Sequence, residues 1–144
     1  MSFLKTTLVL GLVLAGGVAI AEEAAKDPTV IAWKELMGKN GAAAKILGEM
    51  AGGKTAFDAA AAAAARDTLI ADAKAIPAAF KTQAADPASG AKPEIWANWD
   101  DFVAKSVALN AAAEALDVTS VETIGAGMGA IGGACKACHS AYKM

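Results

Sequence analysis

Cys135 and Cys138 stand three residues apart, and His139 follows the second directly. On a helix these positions are i, i+3 and i+4, so the three side chains share one face. Two thiols at that spacing can add to the two vinyl groups of one porphyrin. The imidazole beside them can reach the porphyrin iron from the same side. This is the attachment pattern of a c-type haem. One covalent haem c is therefore the expected cofactor, with Cys135 and Cys138 as its anchors and His139 as the proximal iron ligand.

Rival chemistries fit less well. A structural zinc site needs four protein ligands, and the chain holds two cysteines and one histidine in all. A thioredoxin-like pair belongs at a helix start after a strand, and no strand pattern precedes this one. A simple disulfide would leave the adjoining histidine without a role.

The opposite end suggests where such chemistry takes place. Lys5 is followed by an uncharged apolar run from Leu8 to Ile20, closing on Ala19-Ile20-Ala21. That pattern is a secretory signal peptide, residues 1–21, cut before Glu22. The run is short for a membrane span, and no second one follows, so no membrane span is expected in the mature chain. Covalent haem attachment takes place on the exported side of the bacterial membrane, so both ends predict a periplasmic protein. Residues 22–144 form one domain of about 123 residues. Without Lys5, 12 basic face 15 acidic side chains. Arg66 is the lone arginine, and the lysines are scattered among carboxylates, which excludes nucleic acid as a partner.

Four helical segments must position the motif, and the fold class expected is all-α, an antiparallel up-down-up-down four-helix bundle. Asp27-Pro28 reads as an N-cap with proline at the first helical position. That helix runs to about Ala51, where Gly52-Gly53 stops it. Thr55 and Asp58 resemble a capping box for a second helix reaching about Ile76. Pro77, Pro87, Ser89 and Gly90 mark the longest irregular stretch. Pro93-Glu94 opens a third helix to near Asp117. Thr119 and Glu122 form a box for the fourth, which carries the motif. Val30, Trp33, Met37, Asn40, Ala44, Leu47 and Ala51 recur at steps of three and four, as do Ile95, Trp99, Phe102, Ser106, Leu109, Ala113 and Leu116. Such spacing suits helices crossing at a shallow angle.

Two features of the helices stand out. Alanine makes up roughly a quarter of the chain, with an unbroken run from Ala59 to Ala65, and small side chains bury little area each. The second helix, with Phe57, Leu69, Ile76 and Phe80 its large apolar residues, is expected to pack least tightly. Gly125, Gly127, Gly129, Gly132 and Gly133 crowd the fourth helix, at about 1 kcal/mol each relative to alanine. Either close approach of a bulky group or a frayed first half would explain that run.

The sixth iron position decides the chemistry of a haem on one histidine. His139 is the only histidine, so the remaining donors are methionines. Met128 lies about 16 Å before His139 along the same helix, and Met144 sits beside the proximal ligand. Met37 and Met50 are about 20 Å apart on the first helix, so at most one can face the iron. Met37 falls on the apolar stripe one turn after Trp33. On the residues alone, iron ligand and core filler both stand as readings of Met37.

Beyond the motif, the chain resembles the class II c-type cytochromes, the cytochrome c′ family, over essentially all of residues 27–143. Leu36-Met37-Gly38-Lys39-Asn40-Gly41 matches the family's distal segment. Lys92-Pro93-Glu94-Ile95-Trp96 with Phe102 matches the opening of its third helix. Tyr142-Lys143 matches the aromatic and basic pair that follows its motif. The resemblance implies a four-helix bundle with Met37 at the distal position, and makes Trp33, Trp96, Phe102 and Lys143 candidates for the haem pocket. Five-coordinate members usually place an arginine one turn before the distal residue. Low-spin members use a first-helix methionine as sixth ligand. Here Trp33 stands where the arginine would be. The implied function is electron transfer with periplasmic redox proteins as partners. The alternative is binding of nitric oxide or carbon monoxide at an open distal face, since open-faced relatives can also carry methionine there. Many relatives form homodimers.

Overall fold

A computed structural model describes residues 24–144; the expected signal peptide at residues 1–21 lies outside them. Five helices follow in order: α1 (Pro28–Ala51), α2 (Ala59–Ala79), α3 (Glu94–Ala97), α4 (Trp99–Glu114) and α5 (Val121–Tyr142). The four long ones pack in a closed ring, α1 on α2, α2 on α4, α4 on α5 and α5 on α1. Consecutive long helices are neighbours, the up-down-up-down arrangement of a four-helix bundle. Among the described residues no helix is long and apolar enough to cross a membrane.

The helix boundaries follow from local hydrogen bonds. Asp27 caps α1, its Oδ1 accepting from the Thr29 and Val30 amides at 2.7 and 3.2 Å. Gly53, at φ +68°, ends it in a conformation open chiefly to glycine. The second cap differs from the expected box. Asp58 itself is the N-cap of α2, accepting from the Ala61 amide at 3.0 Å, and Thr55 lies outside. Nor does α2 stop at Ile76. Pro77 sits in its last turn, and the Phe80 amide still reaches the Ile76 carbonyl at 3.0 Å. One missing N–H near a helix end costs little compared with one in the interior.

The expected third helix is divided in two. Asn98, at φ −123° and ψ 47°, separates α3 from α4, and its amide side chain bonds the Glu94 carbonyl at 3.2 Å. Asparagine offers the backbone such a non-helical alternative. The helix also ends at Glu114 rather than near Asp117. Asp117 then accepts from the Thr119 amide at 2.9 Å. With Thr119 held in that turn, the capping box moves on by one residue, to Ser120 and Thr123.

α2 is not the loosely packed element its composition suggested. Ala62, Ala65, Leu69, Ala73 and Ile76 are all buried against α1 and α4. Small residues compensate for their own missing area by letting neighbouring helices come closer. Phe57 lies ahead of the helix and stays largely exposed. The glycine run does not fray α5, which is continuous to Tyr142. A methyl group built on Gly127 would lie 2.3 Å from Leu116 Cδ1, so that glycine admits a tight neighbour. Gly129, Gly132 and Gly133 have nothing comparably close, and packing within the chain does not explain them.

Candidate functional site

A cavity of about 400 Å³ opens at one end of the bundle. α1 contributes Val30, Trp33, Lys34, Met37 and Gly38 to its wall, and α5 contributes Cys138, His139 and Tyr142. Ile95 and Phe102 line the side formed by α3 and α4. The lining is predominantly apolar, with few polar groups converging on it, as small-molecule sites usually are.

The register of α1 against α5 explains why Met37 and His139 meet here. A methyl on Gly48 would touch Met128 Cε at 3.9 Å, and one on Gly125 would touch Ala51 Cβ at 4.0 Å. Three steps forward on α1 thus correspond to three steps back on α5. Continued along both helices, that antiparallel register brings Met37 level with His139. Met128 packs between the helices, Met50 is buried in the core, and Met144 is exposed at the chain end. Among the described residues, Met37 is the sole methionine on the cavity wall.

An aromatic stack shapes the remaining wall. Trp33 lies on Phe80 with centroids 4.7 Å apart and planes 10° from parallel. Phe80 in turn meets Phe102 at 5.4 Å, and Phe102 meets Tyr142 edge-on at 5.4 Å. The Trp33 indole donates to the Ala79 carbonyl at 2.7 Å, which fixes its rotamer at the end of α2. Trp96 is brought close but not in. It packs behind Trp33 at 5.7 Å and donates to the Phe80 carbonyl at 2.8 Å, so it buttresses the stack without lining the cavity. Trp33, Phe102 and Lys143 do line it.

Sequence reasoning missed the strap that closes one side. Ser89, Gly90 and Ala91, between α2 and α3, form part of the wall. Asp86 anchors this segment by accepting from the amides of Lys26, Asp27 and Ala88 at 2.7–2.8 Å. Those three bonds hold its carboxyl below the ordinary carboxylate value. At the far end, Lys92 donates its amide to the Tyr142 carbonyl at 3.0 Å, and the Met144 amide donates to the Gly90 carbonyl at 2.9 Å. The signal was the polar turn chemistry of Asp86-Pro87, but its distant partners could not be read from spacing.

The donors suit a covalently held haem. Cys135 and Cys138 are free thiols, each half-buried. Burial pushes both up from the usual thiol value, with Lys105 partly opposing this at Cys138. His139 stands at the cavity mouth, partly open to solvent. Burial first, and then the Lys143 ammonium, hold it below the ordinary histidine value. A neutral imidazole keeps the lone pair an iron would take. Soft and imidazole donors, a flat apolar wall and two thiols on one helix face are what such a group requires.

Tyr142 completes the site in a way open to direct test. Its hydroxyl donates to Asp101 Oδ2 at 2.5 Å. That bond first, and burial second, push the phenol from 10.0 up to about 12. A folded value above the unfolded one favours the fold at every pH below about 10 and is lost as the pH rises through about 12. Ultraviolet titration of this single tyrosine should therefore give a midpoint near 12, falling toward the ordinary value in Asp101→Asn. An unchanged midpoint in that variant would remove Asp101 as the cause.

Comparison with known proteins gives the same picture. The family model described as Cytochrome C′ matches residues 29–143. Cytochrome c-556 of Agrobacterium fabrum is 34% identical over 98% of this chain and 94% of its own. Cytochrome c′ of Rhodopseudomonas palustris is 30% identical over 97% of this chain and 96% of its own. Among solved structures, a cytochrome c′ from Rhodopseudomonas palustris superposes with a TM-score of 0.72 at 26% identity, covering 83% of this chain and 98% of that one. Two thiols on one helix and an aromatic cavity in a four-helix bundle thus come with similarity along nearly the whole chain, which belongs to the cytochrome c′ family, whose members carry one covalent haem c.

Proposed function

We propose that this chain is a periplasmic electron carrier in which Cys135 and Cys138 bond the haem, His139 is the proximal ligand and Met37 the distal one. The observation that carries the proposal is that Met37 lines the same cavity as His139 and Cys138. A haem held there supplies one-electron exchange between ferric and ferrous iron. The protein's residues do the rest. The two thioethers fix the group to α5, and Trp33, Phe80 and Phe102 exclude water from its faces. A thioether sulfur from Met37 favours ferrous iron and raises the potential. With His139 and Met37 both donating to its iron, a bound haem would change oxidation state without exchanging ligands. The partners are periplasmic redox proteins that meet a small, transient surface near the cavity mouth.

The optical spectrum of the purified protein tests this. The oxidised form should show a methionine-to-iron charge-transfer band, and Met37→Ala should abolish it and leave a high-spin ferric spectrum. Each tenfold loss of ferrous preference lowers the potential by about 59 mV, and a hundredfold loss, about 120 mV, is expected. A wild-type spectrum that is already high-spin would instead mark an open distal face for nitric oxide or carbon monoxide. An unchanged spectrum in Met37→Ala would remove Met37 from the iron.

A further inference from the structure

We infer that the exposed seam between α1 and α5 is the docking face for an acidic redox protein, whose carboxylates meet Lys34, Lys45, Lys136 and Lys143. The inference rests on the electron-carrier reading and adds to it the chemistry of the partner and the place where it sits. On α1, Lys34, Gly38, Gly41, Lys45, Gly48 and Gly52 follow one another at steps of four and three. On α5, Gly125, Gly129, Gly132, Lys136 and His139 do the same, and Lys143 continues the series just past the helix end. Residues at such steps share a helix face, and all of these are exposed. The two stripes border one seam. A methyl on Gly48 would touch Met128 of α5, and one on Gly125 would touch Ala51 of α1. The cavity opens at one end of this seam, where Lys34, Gly38, His139 and Lys143 belong to its wall.

Charge identifies the occupant. The chain holds 15 acidic against 13 basic side chains, yet neither stripe includes a carboxylate. Glu49, one turn after Lys45, lies 3.7 Å from that lysine's ammonium. At the mouth, Lys34 donates to the Ala88 carbonyl at 3.5 Å and Lys143 runs beside Gly90, so the strap holds both lysines at the rim. Lys34 and Lys45 stand about 16 Å apart along α1, a span that suits a small, transient interface. A one-signed patch raises the rate of encounter with its complement by about 10–1000-fold at low salt. A second copy of this chain would set lysine against lysine across a two-fold axis. A lipid surface calls for bulky apolar side chains beside the basic ones, and glycines stand there instead. Nothing from elsewhere in the chain lies within 4 Å of a methyl built on Gly38, Gly41, Gly129 or Gly132. Without side chains above the backbone, the partner's surface comes closer to the cavity mouth, and electron exchange falls steeply with distance. Close approach from outside thus gives Gly129 and Gly132 a role that packing within the chain does not.

The test is stopped-flow reduction of the exported, haem-loaded protein by reduced plant-type ferredoxin, a small acidic one-electron donor of low potential. The rate should fall at least tenfold between about 10 and about 200 mM sodium chloride, because salt shortens the reach of charge. Lys45→Gln with Lys136→Gln should lower the low-salt rate several-fold. Lys74→Gln with Lys81→Gln removes the same charge from the α2 side of the bundle and should leave the rate within about twofold. Gly41→Leu with Gly129→Leu adds bulk without charge at open positions, and leucine favours the helix. That pair should slow the reaction several-fold while keeping its salt dependence. Dithionite, a small reductant that needs no docking, should reduce all these proteins at similar rates. A ferredoxin rate indifferent to salt, or an equal loss in the α2 pair, overturns the docking face. A glycine pair as fast as the wild type overturns the close approach. Sedimentation with phosphatidylglycerol vesicles that is lost in Lys45→Gln with Lys136→Gln, beside an unchanged ferredoxin rate, gives the face to lipid and overturns the inference. The two readings fail separately. A protein with the methionine-to-iron band, reduced by dithionite but indifferent to these lysines, refutes the docking face alone, whereas a high-spin ferric spectrum refutes the electron carrier.

Discussion

Exported from a haem-maturing bacterium, the doubly substituted Cys135→Ser, Cys138→Ser chain should carry no covalent haem and should unfold without a sharp thermal transition. The single variants, each keeping one thiol, should retain a haem through one thioether. The size of the stability effect follows from the cavity. An unfilled space costs about 24 cal/mol per Å³ when its walls cannot relax. At about 400 Å³ that rate gives on the order of 10 kcal/mol, a ceiling that water entering the open end of the cavity lowers. Partial collapse of the strap and the aromatic stack recovers some of this, leaving a cost of several kcal/mol. Domains of this size are stable by about 5–15 kcal/mol in total, and much of this core is alanine, which contributes little area. Each kcal/mol shifts the midpoint by about 4 °C in a domain of this size, so a fall of well over 10 °C is expected even if cooperativity survives. Intact mass reads the attachment, and calorimetry or circular dichroism reads the stability. A double variant that retained haem mass, or melted as the wild type does, would remove these thiols from the site.

What the residues announced and what they withheld divide along a physical line. The attachment pattern was legible because Cys135, Cys138 and His139 are close in sequence, and helical geometry turns that spacing into a shared face. The long helices were legible for the same reason, through stripes at steps of three and four. The caps moved wherever two candidates competed: Asp58, three residues on, took the place of Thr55, and Ser120, one residue on, took that of Thr119 once Asp117 had engaged the Thr119 amide. The break at Asn98 and the passage of α2 through Pro77 depend on one hydrogen bond each, too local for a periodicity to register. Least visible were the long-range polar ties. Asp86 reaches back to residues 26 and 27, and Tyr142 reaches Asp101 across two helices. Nothing in the spacing of either pair foretells the contact. These ties seat the strap and the phenol at the cavity, so the anchor was readable while much of its enclosure was not.

Trp33→Ala should then be among the most damaging single substitutions outside the motif. Trp33 is about 3% exposed, and truncating a buried tryptophan costs about 3–5 kcal/mol. The loss reaches beyond volume. The stack on Phe80 and the packing of Trp96 both rest on this ring, and the Ala79 carbonyl loses its indole donor. Without the ring, water gains access to the cavity wall one turn from Met37, so the visible spectrum and the potential should move together with the stability. Trp33→Phe separates these effects. It keeps an aromatic plate on Phe80 and gives up the indole N–H, a change worth about 1 kcal/mol. Urea unfolding of both variants, with ferric spectra recorded beside it, distinguishes the contributions. If Trp33→Ala were no worse than Trp33→Phe, the hydrogen bond to Ala79 would be what holds this wall, and the stack would follow from it. If it is worse by several kcal/mol, as the burial implies, the flat face of Trp33 is what keeps α1 and α2 apart at the width a porphyrin needs.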